Sequence, residues 1–408
     1  MKDKETIGVI LLNLGGPDSI HAVRPFLYNL FSDRKIIKLG PSFLQKPIAW
    51  LISSLRSKKT ESMYSLIGGR SPILDITSAQ AKTLEEALNQ KSEVKSQKST
   101  PPLPPLSKGG INGKVIPTSY HPKLVTPNSL PPIPPPRGGR ARGGVPEKKF
   151  KVYVGMRYWH PLIEDVVPVM YIDGIRKIVA LSLYPQYSVT TSGSSLTKLK
   201  DVVESYPIET FCISSWFDHP LYIEALVDII KKGLESFTQK SEVKSQKSND
   251  TDNPPTPPLE KGSKRGFERR GDIQVLFSAH GLPHKIFEKG DPYVHQINGT
   301  IREITKIIPI KWHLSFQSKS GPVKWLEPST DEKLKELATE GIKNILVVPI
   351  SFVSDHIETL YEIDILYKNL AEKLGITLKK VDSLNTHPIF IEALKDMVIK
   401  SAKEKGWT

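Results

Sequence analysis

The chain of 408 residues has one cysteine, Cys212. That scarcity excludes a disulfide framework, a cysteine-ligated zinc site and a four-cysteine iron–sulfur cluster within the chain. A reducing, cytoplasmic setting is the default expectation. Long apolar runs are missing too: no stretch reaches the roughly 18 consecutive apolar residues that a membrane helix needs. The short run near the N-terminus ends in Asn13-Leu14-Gly15-Gly16-Pro17 with no cleavage-site pattern behind it. It reads as a strand entering a turn rather than as a signal peptide. That turn is neither a GxGxxG dinucleotide fingerprint nor a P-loop. It is either a simple tight turn or a backbone that a flat ligand can approach closely.

What the chain has in quantity is positive charge and proline, with 57 Lys+Arg against 43 Asp+Glu, a formal charge of +14, and 34 prolines. Such a balance first suggests an anionic partner, nucleic acid or a membrane surface. The distribution argues otherwise. Residues 90–148 and 239–270 are Pro-, Gly-, Ser- and Lys-rich, and the decapeptide QKSEVKSQKS stands in both, at 90–99 and 239–248. These stretches carry +8 and +3 and half of the prolines, which leaves +3 on the other 317 residues. Lacking apolar periodicity, they are expected to be disordered low-complexity insertions without a core. The remainder is nearly neutral, and the case for a nucleic-acid partner goes with the insertions.

Outside the insertions, strand-like and helix-like segments alternate. Strands are expected at Ile7–Leu14, Lys151–Gly155, Ile178–Tyr184, Thr210–Ser214, Ile273–Phe277, His313–Gln317 and Ile345–Ile350. Helices are expected at His21–Phe31, Leu162–Asp173, Leu196–Ser205, Tyr222–Ser236, Asp291–Ile308, Asp331–Glu340 and Glu358–Leu374, and an amphipathic core helix at Ile48–Leu55. The alternation predicts an α/β fold of two doubly wound parallel-sheet domains. The expected bounds are 1–186 and 187–386, with a C-terminal helix over 387–408 packing back on the first domain. Ligands in such folds sit at the carboxyl ends of strands, which is where candidate residues are sought.

The run ending at Phe277 delivers Ser278-Ala279-His280-Gly281, so His280 stands where a cleft is expected. A neutral imidazole there is either a metal ligand and base or a satisfied structural histidine. The run ending at Ile350 leads to Ser354-Asp355-His356-Ile357-Glu358 and then Glu362. Glu358 and Glu362, four apart, share a helix face and repel unless a cation or proton intervenes. Beside His356 they form a plausible cation or proton-transfer site, although an acidic first turn also complements a helix dipole. Arg157-Tyr158-Trp159 suits a large planar anionic ligand. The basic group Arg56, Lys58 and Lys59 pairs with carboxylates or is a solvated face. Thr190–Ser195 opens a helix, either as an anion cradle or as a plain cap.

Taken together, LNLGGPDS (12–19), IGGRSPI (67–73), GMRYWHPL (155–162), YPQYS (184–188), SAHGLP (278–283), GDPY (290–293), QSKSGPVKWLEP (317–328) and PISFVSDHIETLYEID (349–364) resemble one family along nearly the whole chain outside the insertions. It is the ferrochelatase family of class II chelatases. The resemblance implies two similar Rossmann-like domains with a porphyrin cleft between them. It implies a lyase that inserts ferrous iron into protoporphyrin IX, giving protohaem and two protons in the last step of haem biosynthesis. No resident cofactor is implied, since iron is a substrate. His280 and Glu358 are implied as metal ligands and catalytic residues that share removal of the pyrrole protons. Leu14, Tyr64, Arg157, Tyr158 and Trp325 match porphyrin contacts, and Arg56, Lys59, Ser71 and Ser318 match positions meeting the propionates.

Some relatives continue an acidic track where this chain has Leu366, so any track here is short, with Asp364 the only substitute nearby. Relatives with a C-terminal iron–sulfur extension or pigment-binding membrane helix have no counterpart expected here. A monomer without a transmembrane segment is expected, with peripheral membrane contact left open. A chelatase of this fold acting on coproporphyrin III or another tetrapyrrole or metal is the nearest alternative, because a His/Glu pair alone does not select iron. A non-catalytic porphyrin carrier is the other, although a carrier has no use for a base beside a metal-binding carboxylate.

Overall fold

The computed structural model describes residues 6–34, 39–90, 149–246, 273–319, 321 and 323–408. Most of both Pro/Lys-rich insertions lies outside the described residues. Two four-stranded parallel sheets carry the chain. The first runs β2 (Phe150–Met156), β1 (Ile7–Asn13), β3 (Lys177–Ser182), β4 (Glu209–Ile213). The second runs β6 (Trp312–Gln317), β5 (Ile273–His280), β7 (Asn344–Pro349), β8 (Thr377–Lys380). The two orders are the same, so each sheet has its topological switch beside its earliest strand, at β1 and at β5.

The alternation within β1 explains how it is held. All seven residues are buried, as both faces of a parallel sheet are covered. Val9 and Leu11 point to one cluster and Ile10 and Leu12 to another, following the two-residue period of a strand. The first of these clusters is shared by both halves. It joins Leu84 on α3 (Ile73–Asn89), Leu226 and Ile230 on α6 (Pro220–Gln246), and Phe277 on β5. Beyond the short α7 (His284–Glu288), it also takes in Ile297 and Ile301 on α8 (Tyr293–Ile307) and Phe390 and Leu394 on α11 (Pro388–Glu404). The outer faces have their own cores: Ile163, Val167 and Met170 of α4 (Ile163–Ile172) under the first sheet, Leu334 of α9 (Thr330–Thr339) with Ile363 and Leu378 under the second.

Five features differ from the sequence reading. The boundary expected at 186/187 is displaced, because α5 (Ser192–Val203) and β4 belong to the first half: β4 pairs with β3, and Leu199 packs with Ile10 and Leu12. The helix α6 continues as backbone through 239–246, into the repeated decapeptide, because Lys, Glu and Gln extend an established helix at little cost. Helix α3 and the short strand β8 were not expected. Finally, α2 (Gln45–Ser65) is not a core helix of the expected kind. Its buried positions are Gln45, Ala49, Ser53, Ser57 and Tyr64, while Trp50, Leu51 and Leu55 are 57, 51 and 74 % exposed. With α1 (Val23–Ser32) it forms a hairpin with a separate small core of Val23, Phe26, Leu27, Phe31, Ala49 and Tyr64. The helix α11 lies across α3, α6 and the β3–β4 side of the first sheet.

Candidate active site

His280 is the last residue of β5. Its backbone N–H donates to Ser351 Oγ at 2.8 Å and its carbonyl accepts from Tyr293 OH at 3.1 Å, so the ring is carried by a fixed backbone. Its Nδ1 lies 2.8 Å from Glu358 Oε2. Glu358 opens α10, which is π-wound over Glu358–Tyr367 and α-helical over Lys368–Lys373. Such wide turns cluster at functional sites. Ser318, held at φ +68 just after β6, places its Oγ 2.9 Å from Glu358 Oε2 and 2.7 Å from Glu362 Oε2. Gln317 Nε2 donates to the Glu358 carbonyl at 3.0 Å and to Glu362 Oε2 at 3.3 Å.

The charges divide unequally. Burial would raise the Glu358 carboxyl, but the charge and hydrogen bond of His280, with His356 and Ser318, bring it down to about 2. Glu362, buried and facing the Glu358 charge, is pushed up to about 7 despite its bond to Ser318. Burial alone would lower His280, yet Glu358 and Glu362 outweigh it and raise the imidazole above its usual value. The charge of Glu358 thus favours the protonated imidazole on one side and the protonated carboxyl of Glu362 on the other. His356 differs: burial lowers it, and its Nδ1–H donates to the Ser354 carbonyl at 3.0 Å, leaving Nε2 as an acceptor.

The remaining acids of this segment are spent on structure. Asp355 accepts from Asn385 Nδ2, Ser383 Oγ and Thr359 Oγ1 at 2.9, 2.7 and 3.0 Å. Lys380, 9 % exposed, pairs with Asp364 at 2.7 Å and Asp355 at 3.5 Å. Asp364 therefore does not extend an acidic track in place of Leu366.

The first half supplies the opposite wall. A cleft with an empty volume of about 650 Å³ is lined by Asn13 and Leu14 after β1, by Leu183, Tyr184 and Gln186 after β3, and by His280, Ser351–Ser354, His356 and Glu358. It lies at the carboxyl ends of β1, β3, β5 and β7, at the switch points of both sheets. A family model described as Ferrochelatase matches residues 6–101 and 140–402. A ferrochelatase of Gloeothece citriformis is 40 % identical over 410 residues, covering 98 % of this chain and 84 % of that protein. One of Geotalea daltonii is 39 % identical over 406 residues, covering 98 and 99 %.

The chain belongs to the ferrochelatase family. It is an enzyme that inserts a metal ion into a porphyrin, a lyase of haem biosynthesis. Among solved structures, SirB from Bacillus subtilis with Fe3+ aligns at TM-score 0.42 and 14 % identity, over 64 % of this chain and 86 % of that one.

Of the residues matched to ferrochelatase contacts, Leu14, His280 and Glu358 line the cleft. Tyr64 and Tyr158 are 3 and 2 % exposed and belong to the hairpin core. Tyr64 still feels Glu358, whose charge adds to burial in raising its phenol. Ser71 is buried under the NLGGP turn, where a Cβ on Gly16 would stand 2.5 Å from its Oγ. That packing accounts for Gly16 as close protein contact, and φ +83 accounts for Gly15. Trp325 is half-buried, its strand-like bridge to Pro283 holding it beside the His280 loop. Arg56 and Lys59 are exposed on α2, with Arg56 5.4 Å over the Phe31 ring.

Two matched residues differ from expectation. Ser318 faces two carboxylates, a setting that repels a propionate. Arg157 does not offer an unmet charge to an anionic ligand, because Asp33 Oδ2 lies 2.6 Å from its Nη2, with the side chains 15 and 8 % exposed. The serines opening α5 are likewise used internally: Ser194 bonds Arg157 and Asp33, and Ser192 bonds Ser182. Asp33, Gln317 and Ser351 had no signal in the sequence, since each is an ordinary polar residue whose partner is distant in the chain.

Proposed function

We propose that this ferrochelatase inserts Fe²⁺ into protoporphyrin IX, releasing two protons, with His280 and Glu358 meeting the metal and taking up the pyrrole protons. The observation that carries the reading is the 2.8 Å His280–Glu358 pair on the cleft wall. Insertion removes two pyrrole N–H protons while a cation arrives at the same nitrogens. A carboxylate and an imidazole serve both needs, each binding the ion or accepting a proton. Glu358, held ionised, is the group ready to act. His280, drawn toward its protonated form by Glu358, accepts a proton only from its neutral state, and Glu362, pushed up to about 7, titrates beside the pair. Leu14 and the aromatic wall at Tyr184 offer the macrocycle an apolar bed, and Arg56 and Lys59 offer cations at the hairpin rim for its propionates.

The reading includes no resident cofactor, a cytoplasmic location and a monomeric state, which absorbance of the purified protein, fractionation and sedimentation test. No described helix is long and apolar enough to cross a membrane. A peripheral membrane contact is part of the same reading, supported by Trp50, Leu51 and Leu55 exposed on α2 with Arg24 5.2 Å from the Trp50 ring. The decisive assay is anaerobic and spectrophotometric, with Fe²⁺ or Zn²⁺ and protoporphyrin or coproporphyrin. Faster metallation of protoporphyrin supports the assignment, and a preference for coproporphyrin transfers it to that substrate. Turnover surviving in both His280→Ala and Glu358→Ala removes the mechanism.

A further inference from the structure

The α1–α2 hairpin has its own small core, joined from the body by Tyr158 with Leu14, Trp159 and Ile357 packed against it, and polar bonds add to that apolar contact. Asn29 Nδ2 donates to the Tyr158 carbonyl at 3.1 Å. The stronger tie is Asp33, in the connection after α1. Its Oδ2 accepts from Arg157 Nη2 at 2.6 Å, from Tyr158 OH at 2.8 Å and from Ser194 Oγ at 3.0 Å. Arg157 Nε donates in turn to Ser194 Oγ at 3.0 Å. One carboxylate oxygen thus gathers donors from the segment after β2 and from the first turn of α5.

Local physics does not favour an aspartate here. Asp33 is the C-cap of α1, where the helix dipole presents its negative end and disfavours a carboxylate. Its distant partners offset that cost with three hydrogen bonds to one carboxylate oxygen, which gives the long-range contact a role that the helix end does not. A charge pair this closed to water is strongly destabilised when one member is removed. The cluster also borders the reaction site. Tyr184, on the cleft wall, feels Tyr158, Glu358 and Arg157 together.

We infer that Asp33 is a positioning residue for metal insertion: it fixes Arg157 and locks the hairpin that carries Arg56, Lys59 and Tyr64 at the porphyrin end of the cleft. The inference rests on the porphyrin-cleft reading above. Its consequence is selective. Loosening the hairpin weakens the hold on the macrocycle, whereas the metal meets His280 and Glu358 on the other half of the molecule.

The test is steady-state metallation by the full chain with porphyrin and metal varied separately. Asp33→Asn is expected to raise the porphyrin KM roughly tenfold, the scale of one charge-assisted hydrogen bond, with metal KM and saturating rate nearly unchanged. Ser194→Ala, which keeps the charge pair, is expected to move porphyrin KM the same way by about threefold, and decides the matter if Asp33→Asn fails to fold. A lowered Tm with unchanged porphyrin KM, or equal rises in both KM values, overturns the positioning role. Wild-type protein that metallates no porphyrin instead defeats the activity reading. The Asp33 inference is then decided by porphyrin Kd from tryptophan quenching, raised in Asp33→Asn if it holds and unchanged if it does not.

Discussion

The two halves share a strand order and differ at one residue where it matters. In both, the earliest strand runs into the cleft. β1 delivers Asn13, whose amide is consumed at once: Oδ1 accepts from the Leu14 N–H at 2.8 Å and Nδ2 donates to Thr77 at 3.0 Å. β5 delivers His280, whose ring is 31 % exposed and faces a carboxylate. The next strands diverge likewise. After β3 come Tyr184-Pro185-Gln186, a wall. After β7 come Ser351 to Glu358, an edge with a titrating histidine and carboxylate. A common backbone thus offers two equivalent positions, and only one has been given chemistry that titrates.

That asymmetry is open to attack at several strengths. Glu358→Gln and His280→Ala should each lower the saturating metallation rate by about 10²–10⁴ with the fold kept. Leu14→Ala, across the cleft, should cost less than tenfold, on the order of a lost apolar contact; equal losses on the two walls would erase the distinction. Stability should show the same bias. Lys380→Met removes the buried cation that Asp355 and Asp364 share and should cost about 2 kcal/mol in denaturant unfolding, the scale of a hydrogen bond to a charged group. Lys151→Met breaks the exposed Lys151–Asp173 pair of the first half and should cost under about 1 kcal/mol.

At the joint between the halves, Gln80 on α3 donates to Ser354 Oγ at 3.1 Å and to the Asn385 carbonyl at 2.8 Å. Gln80→Ala should cost about 1–3 kcal/mol, because it leaves a buried acceptor bare. The smallest effect is a slope. Glu362 holds its proton to about 7 when folded but to the model-peptide value of 4.5 when unfolded. The native state then binds more protons across that window, so stability falls as pH rises through it and is level above. The Glu362 share of the slope is at most about 1.4 kcal/mol per pH unit and should be lost in Glu362→Gln, read from unfolding midpoints at pH 5 and 8. That variant leaves the share of His280, whose raised imidazole acts with the same sign.

Much of this was readable in the chain. Parallel strands buried on both faces announce themselves as continuous apolar runs, and His280 and Glu358 could be found because each follows such a run. Helix α3 escaped because Thr77 and Gln80 occupy its buried face and interrupt the apolar stripe. β8 is four residues with Leu378 alone buried, too little for a period. On α2 the pattern misled, since its apolar residues face outward and small or polar ones face the hairpin core. Arg157 was legible as a functional position but not in its pairing, which is a contact 124 residues away in sequence.

Ser318 has one hydroxyl hydrogen and stands within bonding reach of two carboxyl oxygens. It can donate to only one of them at a time. With Glu362 protonated, the arrangement resolves as a chain: the carboxyl hydrogen of Glu362 points to Ser318 Oγ, and the serine hydrogen points to Glu358. His280, on the other side of Glu358, is likewise drawn toward its protonated form by that charge. A dication that settles on Glu358 and His280 competes with the imidazole proton directly and with the Glu362 proton through the field. On the proposed reading, metal uptake would then also be an acid-release step, with a proton count that can be titrated before any porphyrin is added.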